Sequence, residues 1–340
     1  MKRILYTLMV LCAFGLLSCR KSGTDISLKQ FDDNQIQNYI KSNNLTEMKP
    51  YTGNGDTTGI YYQVIIPGKG DSILNTTQTA YLYTAKSFDG QFNSSDTILN
   101  HVYSYAPYIG PTGLQTAIKN IAKTRGTKIR VLVPSRMAYG INGTTVTRYT
   151  SNTTTSTTTI PGNQGIDYTI TIMDEKGTMV VTNPLTNQPE TVLKQAVYDE
   201  ISIKKYLAAQ GFSGYTRIDT GKYKGLYYKI TKAGTGTDKI GIGSVVGVQY
   251  TGFLFNTAIF DQQIIEGNYA ASSLILYKDE VVDAMLGALP KATAGADISI
   301  ITPSALAYGV AGATNSASGG FGIPAFSCLR FDMSIITVAN

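Results

Sequence analysis

Histidine is nearly missing from this chain of 340 residues, where His101 stands alone. A Ser-His-Asp relay or a histidine-rich metal site cannot be assembled without it, and nothing near it in the sequence supports either. His101 is therefore expected in a solvated loop, and no metal or cofactor is expected. Cysteine is almost as scarce, with only Cys12, Cys19 and Cys328, too few for a disulfide framework. Charged residues make up 15%, well under the usual quarter. The net surplus of +6 is small and forms no basic cluster, so nucleic acid is not an expected partner. What is plentiful instead is Thr, Ser, Asn, Gly and Tyr, the composition of an exported, β-rich protein.

An apolar run of membrane-spanning length is also lacking. The one long hydrophobic stretch, "ILYTLMVLCAFGLL" at 4–17, follows Lys2 and Arg3 and is too short to span comfortably, as in an export signal. It closes in "LLSC" at 16–19, which resembles the bacterial lipobox. That resemblance implies cleavage after residue 18 and a diacylglycerol on Cys19; the other reading is a signal cut elsewhere beside an incidental cysteine. With the lipid on Cys19, only Cys328 remains a free thiol, and removal of Lys2 and Arg3 lowers the surplus charge by two. The expected location is the cell envelope, lipid-anchored, with the outer membrane the expected membrane and its periplasmic or surface side left open.

The remainder reads as a repeat. "VPSRMAYG" at 133–140 returns as "TPSALAYG" at 302–309, each after an apolar run and before a long loop. Ile36, Tyr39 and Ile40 have the spacing of one helical face, and Ile203, Tyr206 and Leu207 repeat it at a constant offset. "GIYYQVIIPGKG" (59–70) pairs with "GLYYKITKAGTG" (225–236), each a strand running into a turn. "AYLYTAKSFDGQFNSS" (80–95) pairs with "GVQYTGFLFNTAIFDQQ" (247–263), two strands joined at Asp89-Gly90 or Asn256-Thr257. Leu114, Ile118 and Ile121 mark a short helix in one copy, Met285, Leu289 and Ala292 in the other. The copies end in "IDYTITIM" (166–173) and "LRFDMSII" (329–336). The proline-bearing segment 177–194 has little apolar periodicity and reads as a linker. The expected organisation is a signal over 1–18, a tether over 19–27, and domains over 28–176 and 195–340.

In order and spacing, "YTG" at 250–252, "FD" at 260–261, "PSALAYG", Ile323-Pro324 and "LRFD" resemble the FKBP-type peptidyl-prolyl isomerase domain. The resemblance implies an α+β fold in which each half is an antiparallel sheet wrapped around a short helix. It also implies a catalytic set in the second half of Tyr250, Phe260, Asp261, Tyr308 and Phe331, with Val281, Val282, Met285 and Ile323 binding substrate. Tyr308 would donate to a substrate carbonyl, and Phe260, Ile323 and Phe331 would wall a proline. The chain has no tryptophan, and Met285 stands where the family usually has one as the pocket floor; a thioether is apolar and adaptable but not rigid. The first half carries Tyr83, Phe92, Leu114, Tyr139, Ile160 and Tyr168 at the matching positions. There Asn93 replaces the family's aspartate, Tyr168 its phenylalanine, and the loop 141–159 is longer than the family's flap, so weak or absent activity is expected in that copy.

The expectation is thus a monomeric isomerase acting on proline-containing unfolded or partly folded polypeptides in the envelope, the second domain being the active copy. The alternative is an FKBP-fold chaperone or binding scaffold without catalysis. Other signals carry less. "GIGSVVG" (241–247) precedes a strand rather than linking strand to helix, so it is no dinucleotide loop. "TSNTTTSTTT" (150–159) reads as flap, edge hairpin or spacer. "DTT", "DSI" and "DTI" at 56–58, 71–73 and 96–98 resemble a short bacterial O-glycosylation acceptor.

Overall fold

The computed structural model describes residues 26–53, 55, 58–149, 155–183, 185–264, 272–313 and 322–340. The signal segment, Cys19 and most of the tether lie outside the described residues, as do Asp56, Thr57 and positions 150–154 of the Thr-rich run.

Strand periodicity sets the framework. Elements are numbered along the chain. In β9 (Ile166–Ile172), Ile166, Tyr168, Ile170 and Ile172 are buried on one face; in β18 (Leu329–Ala339), Leu329, Phe331, Met333 and Ile335 are. A period of two puts alternate side chains on opposite faces. Each strand therefore sits at the centre of a sheet with its apolar set on the core.

The first sheet combines β1 (Lys49–Pro50), β2 (Tyr61–Ile66), β3 (Gln78–Ser87), β4 (Asn93–Ser94), β5 (His101–Tyr105) and β6 (Lys128–Val133) with β9. Its order is β1-β2-β6-β9-β3-β4, with β5 also on β3. The second combines β12 (Thr216–Arg217), β13 (Tyr227–Lys232), β14 (Val245–Leu254), β15 (Ile259–Gln263), β16 (Ser272–Ile275) and β17 (Asp297–Thr302) with β18. Its order is β12-β13-β17-β18-β14-β15, with β16 on β14. Every ladder is antiparallel, and the two topologies agree strand for strand. This is the doubled α+β architecture expected from the sequence.

Each sheet wraps one short helix. In the first domain α2 (Thr112–Thr116) runs on into a wider π turn at Ala117–Ala122; in the second α4 (Asp283–Ala288) tightens into a 3-10 turn at Leu289–Lys291. Leu114, Ile118 and Ile121 enter one core, and Met285, Leu286 and Leu289 the other. Full burial of side chains this size stabilises by about 2 to 3 kcal/mol each.

The opposite faces carry the longer helices α1 (Leu28–Ser42) and α3 (Lys194–Ala209). Ile36 and Tyr39 pack on Leu132, and Ile203 and Tyr206 on Ile301 and Cys328. Tyr39 stacks on Phe88 at 4.2 Å and Tyr206 on Phe255 at 4.1 Å.

These helices also explain the repeated PS phrase. Asp32 of α1 is fully buried and accepts hydrogen bonds from Ser135 Oγ at 2.7 Å and Arg136 N at 3.1 Å. Asp199 of α3 accepts from Ser304 N at 2.9 Å and Ser304 Oγ at 2.7 Å. A buried carboxylate must be paired; here each one pins the turn that ends in Ala-Tyr-Gly.

Two segments are more ordered than their sequence suggests. The stretch read as a linker folds as a hairpin, β10 (Thr178–Thr182) against β11 (Pro189–Leu193), and α3 begins directly at Lys194. Five residue pairs in register supply main-chain bonds that side-chain periodicity does not report. Within 141–159, β7 (Thr144–Tyr149) pairs with β8 (Thr155–Ile160), which is the edge-hairpin reading of the Thr-rich run.

The domains touch. Lys194 of α3 pairs with Asp174 at the end of the first domain. Asn256 Nδ2 donates to Asp96 Oδ2 at 2.6 Å, while Ile98 and Leu99 pack against the core of the second domain. His101, expected in a solvated loop, lies on β5 and stacks on Phe326 of the other domain at 5.5 Å. The alternation His101, Tyr103, Tyr105 concealed a strand whose covering residue comes from the second repeat.

Candidate functional site

In the second domain a cavity of about 460 Å³ opens between β14, α4 and the Ala-Tyr-Gly turn. Seven of the nine residues expected there from the sequence line it: Tyr250, Asp261, Val281, Val282, Met285, Tyr308 and Phe331. Phe260 and Ile323 do not. Phe260 is buried behind Phe331, their rings edge to face at 5.6 Å, and Ile323 lies in the same core. Phe260 thus backs Phe331, and Ile323 is bonded main chain to main chain with Ala313.

Local sequence sets each position. Phe331 faces inward by the β18 alternation and is 2% exposed. Gly252 of the YTG phrase lies under the Phe260 ring; a Cβ there would come within 2.5 Å of it, so only glycine lets that ring cross the strand. Gly309 has φ +56, in the left-handed region where glycine bears no steric penalty. Its N–H bonds Ser304 O at 2.9 Å, closing the turn that presents Tyr308.

At the rim the Tyr250 hydroxyl donates to Asp261 Oδ2 at 2.5 Å, and Gln262 N donates to Asp261 Oδ1 at 2.9 Å. Burial, then the hydrogen bond to Asp261 and its charge, push the Tyr250 phenol well up. Burial and the Asp261 charge raise Tyr308 as well. Both phenols thus stay protonated at neutral pH and can donate. Tyr308 is 37% exposed, and its hydroxyl bonds no other described residue, leaving a donor aimed at whatever fills the cleft. The arrangement offers apolar surface from Val281, Val282, Met285 and Phe331, the Tyr308 hydroxyl, and a charged surround of Asp261, Lys278, Asp279, Glu280 and Asp283. It can desolvate a compact apolar ring and fix a flanking carbonyl. Among the described residues no His, Cys, Asp and Glu cluster could hold a metal.

The matching residues of the first domain also meet. Phe92, Leu114, Ile160 and Tyr168 are buried in one cluster, with Tyr83 and Tyr139 against it. Tyr168 lies edge-on to Tyr83 at 6.0 Å, and its hydroxyl is hydrogen-bonded with that of Tyr139. The counterpart of Phe331 therefore engages the counterpart of Tyr308, so the hydroxyl that bonds no other described residue in the second copy is hydrogen-bonded in the first. Asn93 is exposed on β4.

A second cavity, of about 620 Å³, lies beside outward-facing Ser299, Asp332 and Ser334. Three of its polar groups are mutually bonded, Tyr215 with Ser299 at 2.8 Å and Ser299 to Asp332 at 2.5 Å. The sequence reading missed Asp199 and Ser304 as supports of the Tyr308 turn. The signal was present, since Asp32 and Asp199 keep the offset of Ile36 and Ile203.

Residues 236–336 match the family model described as FKBP-type peptidyl-prolyl cis-trans isomerase. No curated protein matches the chain. Among solved structures, the three FKBP domains of wheat FKBP73 align over 86% of this chain and 98% of that one, at 16% identity and a TM-score of 0.30. FkpA from Escherichia coli aligns over 43% of this chain at 29% identity and a TM-score of 0.33, and the alignment spans 61% of its length. A peptidyl-prolyl cis-trans isomerase from Pseudomonas syringae pv. tomato aligns over 43% of this chain and 96% of its own, at 26% identity and a TM-score of 0.33.

Proposed function

We propose that the second domain is a peptidyl-prolyl cis-trans isomerase that acts on unfolded or partly folded polypeptides, and that the first domain is not catalytic. Rotation about an X-Pro bond is opposed by amide resonance with a barrier of about 18 to 20 kcal/mol. A catalyst needs neither nucleophile nor metal; it must favour the twisted amide, whose carbonyl has lost conjugation. The cleft's apolar surfaces, Phe331, Val281, Val282 and Met285, would take the proline ring and strip water from the amide. Tyr308 would donate to a neighbouring carbonyl and hold the chain while the bond turns.

The observation that carries this reading is the Tyr308 hydroxyl, bonded to no other described residue, beside a cleft with an apolar patch of Val281, Val282, Met285 and Phe331, within the segment matched by the isomerase family model. The test is a protease-coupled assay on a prolyl peptide with the full chain. Tyr308→Phe, which removes one hydrogen bond, should lower kcat/KM by roughly tenfold, and Phe331→Ala should lower it further. Wild-type rates equal to the uncatalysed rate would overturn the reading.

A non-catalytic binding scaffold is the second reading, favoured by Met285 in place of a rigid aromatic floor and by the engagement of the Tyr139 hydroxyl with Tyr168 in the first domain. It predicts suppressed aggregation of a proline-free client without isomerase activity. The signal-like segment and Cys19 support an export route ending in a lipid anchor at the cell envelope. Mass spectrometry of the mature N-terminus, showing a diacylated Cys19 or an unmodified one, decides that part.

A further inference from the structure

Phe326 is the most unusual residue of the second domain. Its φ is +56, a conformation that costs a bulky side chain on the order of 1 to 3 kcal/mol and persists only where surroundings enforce it. The first copy shows what the fold alone requires here. Asn163 has φ 56, and its N–H bonds Gly140 O at 2.8 Å; Phe326 N bonds Gly309 O at the same 2.8 Å. Asparagine tolerates this conformation. Phenylalanine does not, and its ring leaves its own domain.

The ring is 8% exposed, stacked on His101 at 5.5 Å, edge-on to Tyr103 at 5.8 Å and packed with Ala80 and Met173, all of the first domain. One residue thus joins two contacts. Its side chain is seated in the first domain, and its main chain holds the carbonyl of Gly309, the residue directly after Tyr308. Nearby, Asp96 and Ile98 of the first domain meet Asn256 and the second core, so the docking is not a lone contact.

We infer that Phe326 is a positioning residue through which the first domain holds the Tyr308 turn of the second in place. The effect on catalysis rests on the isomerase reading above; the anchoring does not.

The test uses the full chain and two variants. Phe326→Asn restores the first-domain solution, keeping the turn and removing the ring. Tyr103→Ala removes part of the seat from the first domain and touches nothing in the cleft. Hydrogen exchange over 303–313 should speed about tenfold in both, with Phe326→Tyr near wild type. Prolyl-peptide kcat/KM should fall by a similar factor; in Phe326→Asn the strain relieved offsets part of the burial lost with the ring. Unchanged exchange over 303–313 in both variants would overturn the inference. So would loosening in Phe326→Asn alone, because the hold would then not run through the first domain. If the wild type has no isomerase activity, the enzymatic reading fails while the exchange data still decide the anchoring.

Discussion

Acid should loosen the junction between the two domains, and His101 sets by how much. Its ring lies opposite Leu82 on the neighbouring strand and under Phe326, and its Nε2 is buried with no hydrogen-bond partner among the described residues. Burial holds its pKa down from 6.5 to about 4. Between those values the unfolded chain binds a proton that the folded chain refuses, so the stability tied to neutral His101 is complete above pH 6.5 and drains away as pH falls toward 4. The gap corresponds to about 3 kcal/mol in all, of which about 2 kcal/mol is gone by pH 5. Urea unfolding at pH 7 and pH 5, for wild type and His101→Phe, measures this directly. The variant keeps the stack and cannot titrate, so its midpoint should move much less between the two pH values. Hydrogen exchange over 322–326 should rise in acid in the wild type alone. Equal pH sensitivity of both proteins would refute the argument and place the acid response elsewhere.

Further outcomes follow from the same contacts. Asp199→Ala leaves Ser304 N–H and its hydroxyl without an acceptor and should cost about 3 kcal/mol, read as a lowered urea midpoint. Because burial, only partly offset by hydrogen bonds from Ser304 and Gln195, raises the Asp199 pKa, its contribution declines as pH rises through the window above the usual carboxylate value; Asp199→Asn should flatten that slope. Gly252→Ala forces the Phe260 ring to move and should cost about 1 to 3 kcal/mol, visible in the melting temperature and in the near-ultraviolet dichroism. Tyr168→Phe removes only the bond to Tyr139 and should cost about 1 kcal/mol without creating a peptide site. A prolyl peptide titrated into the full chain should therefore shift NMR signals lining the second cleft and none at Tyr83 or Tyr139.

Much of the molecule is legible in one dimension because the physics there is local or repeated. Period-two burial in 329–336, the glycines of YTG and AYG, and helical spacing at Ile36 and Ile203 each follow from backbone geometry that a few adjacent residues dictate. Duplication doubled those signals, so the two α+β units could be placed from the string, while the residues around the second cleft came from the family resemblance. The linker and the Thr-rich loop were harder, since a two-stranded ribbon is held by main-chain bonds to which side-chain type is nearly indifferent.

Tertiary structure decided everything that depends on which surfaces meet. Tyr139 and Tyr308 occupy matching places in the repeat, and only packing shows that one hydroxyl is taken by Tyr168 while the other faces an open cleft. His101 reads as an exposed polar residue until Phe326, far along the chain, covers it. A sequence specifies what each short segment prefers, whereas burial and the state of a hydrogen-bonding group depend on neighbours brought together by the whole fold; that is why the framework could be read in advance and the engagement of each copy's tyrosine hydroxyl could not.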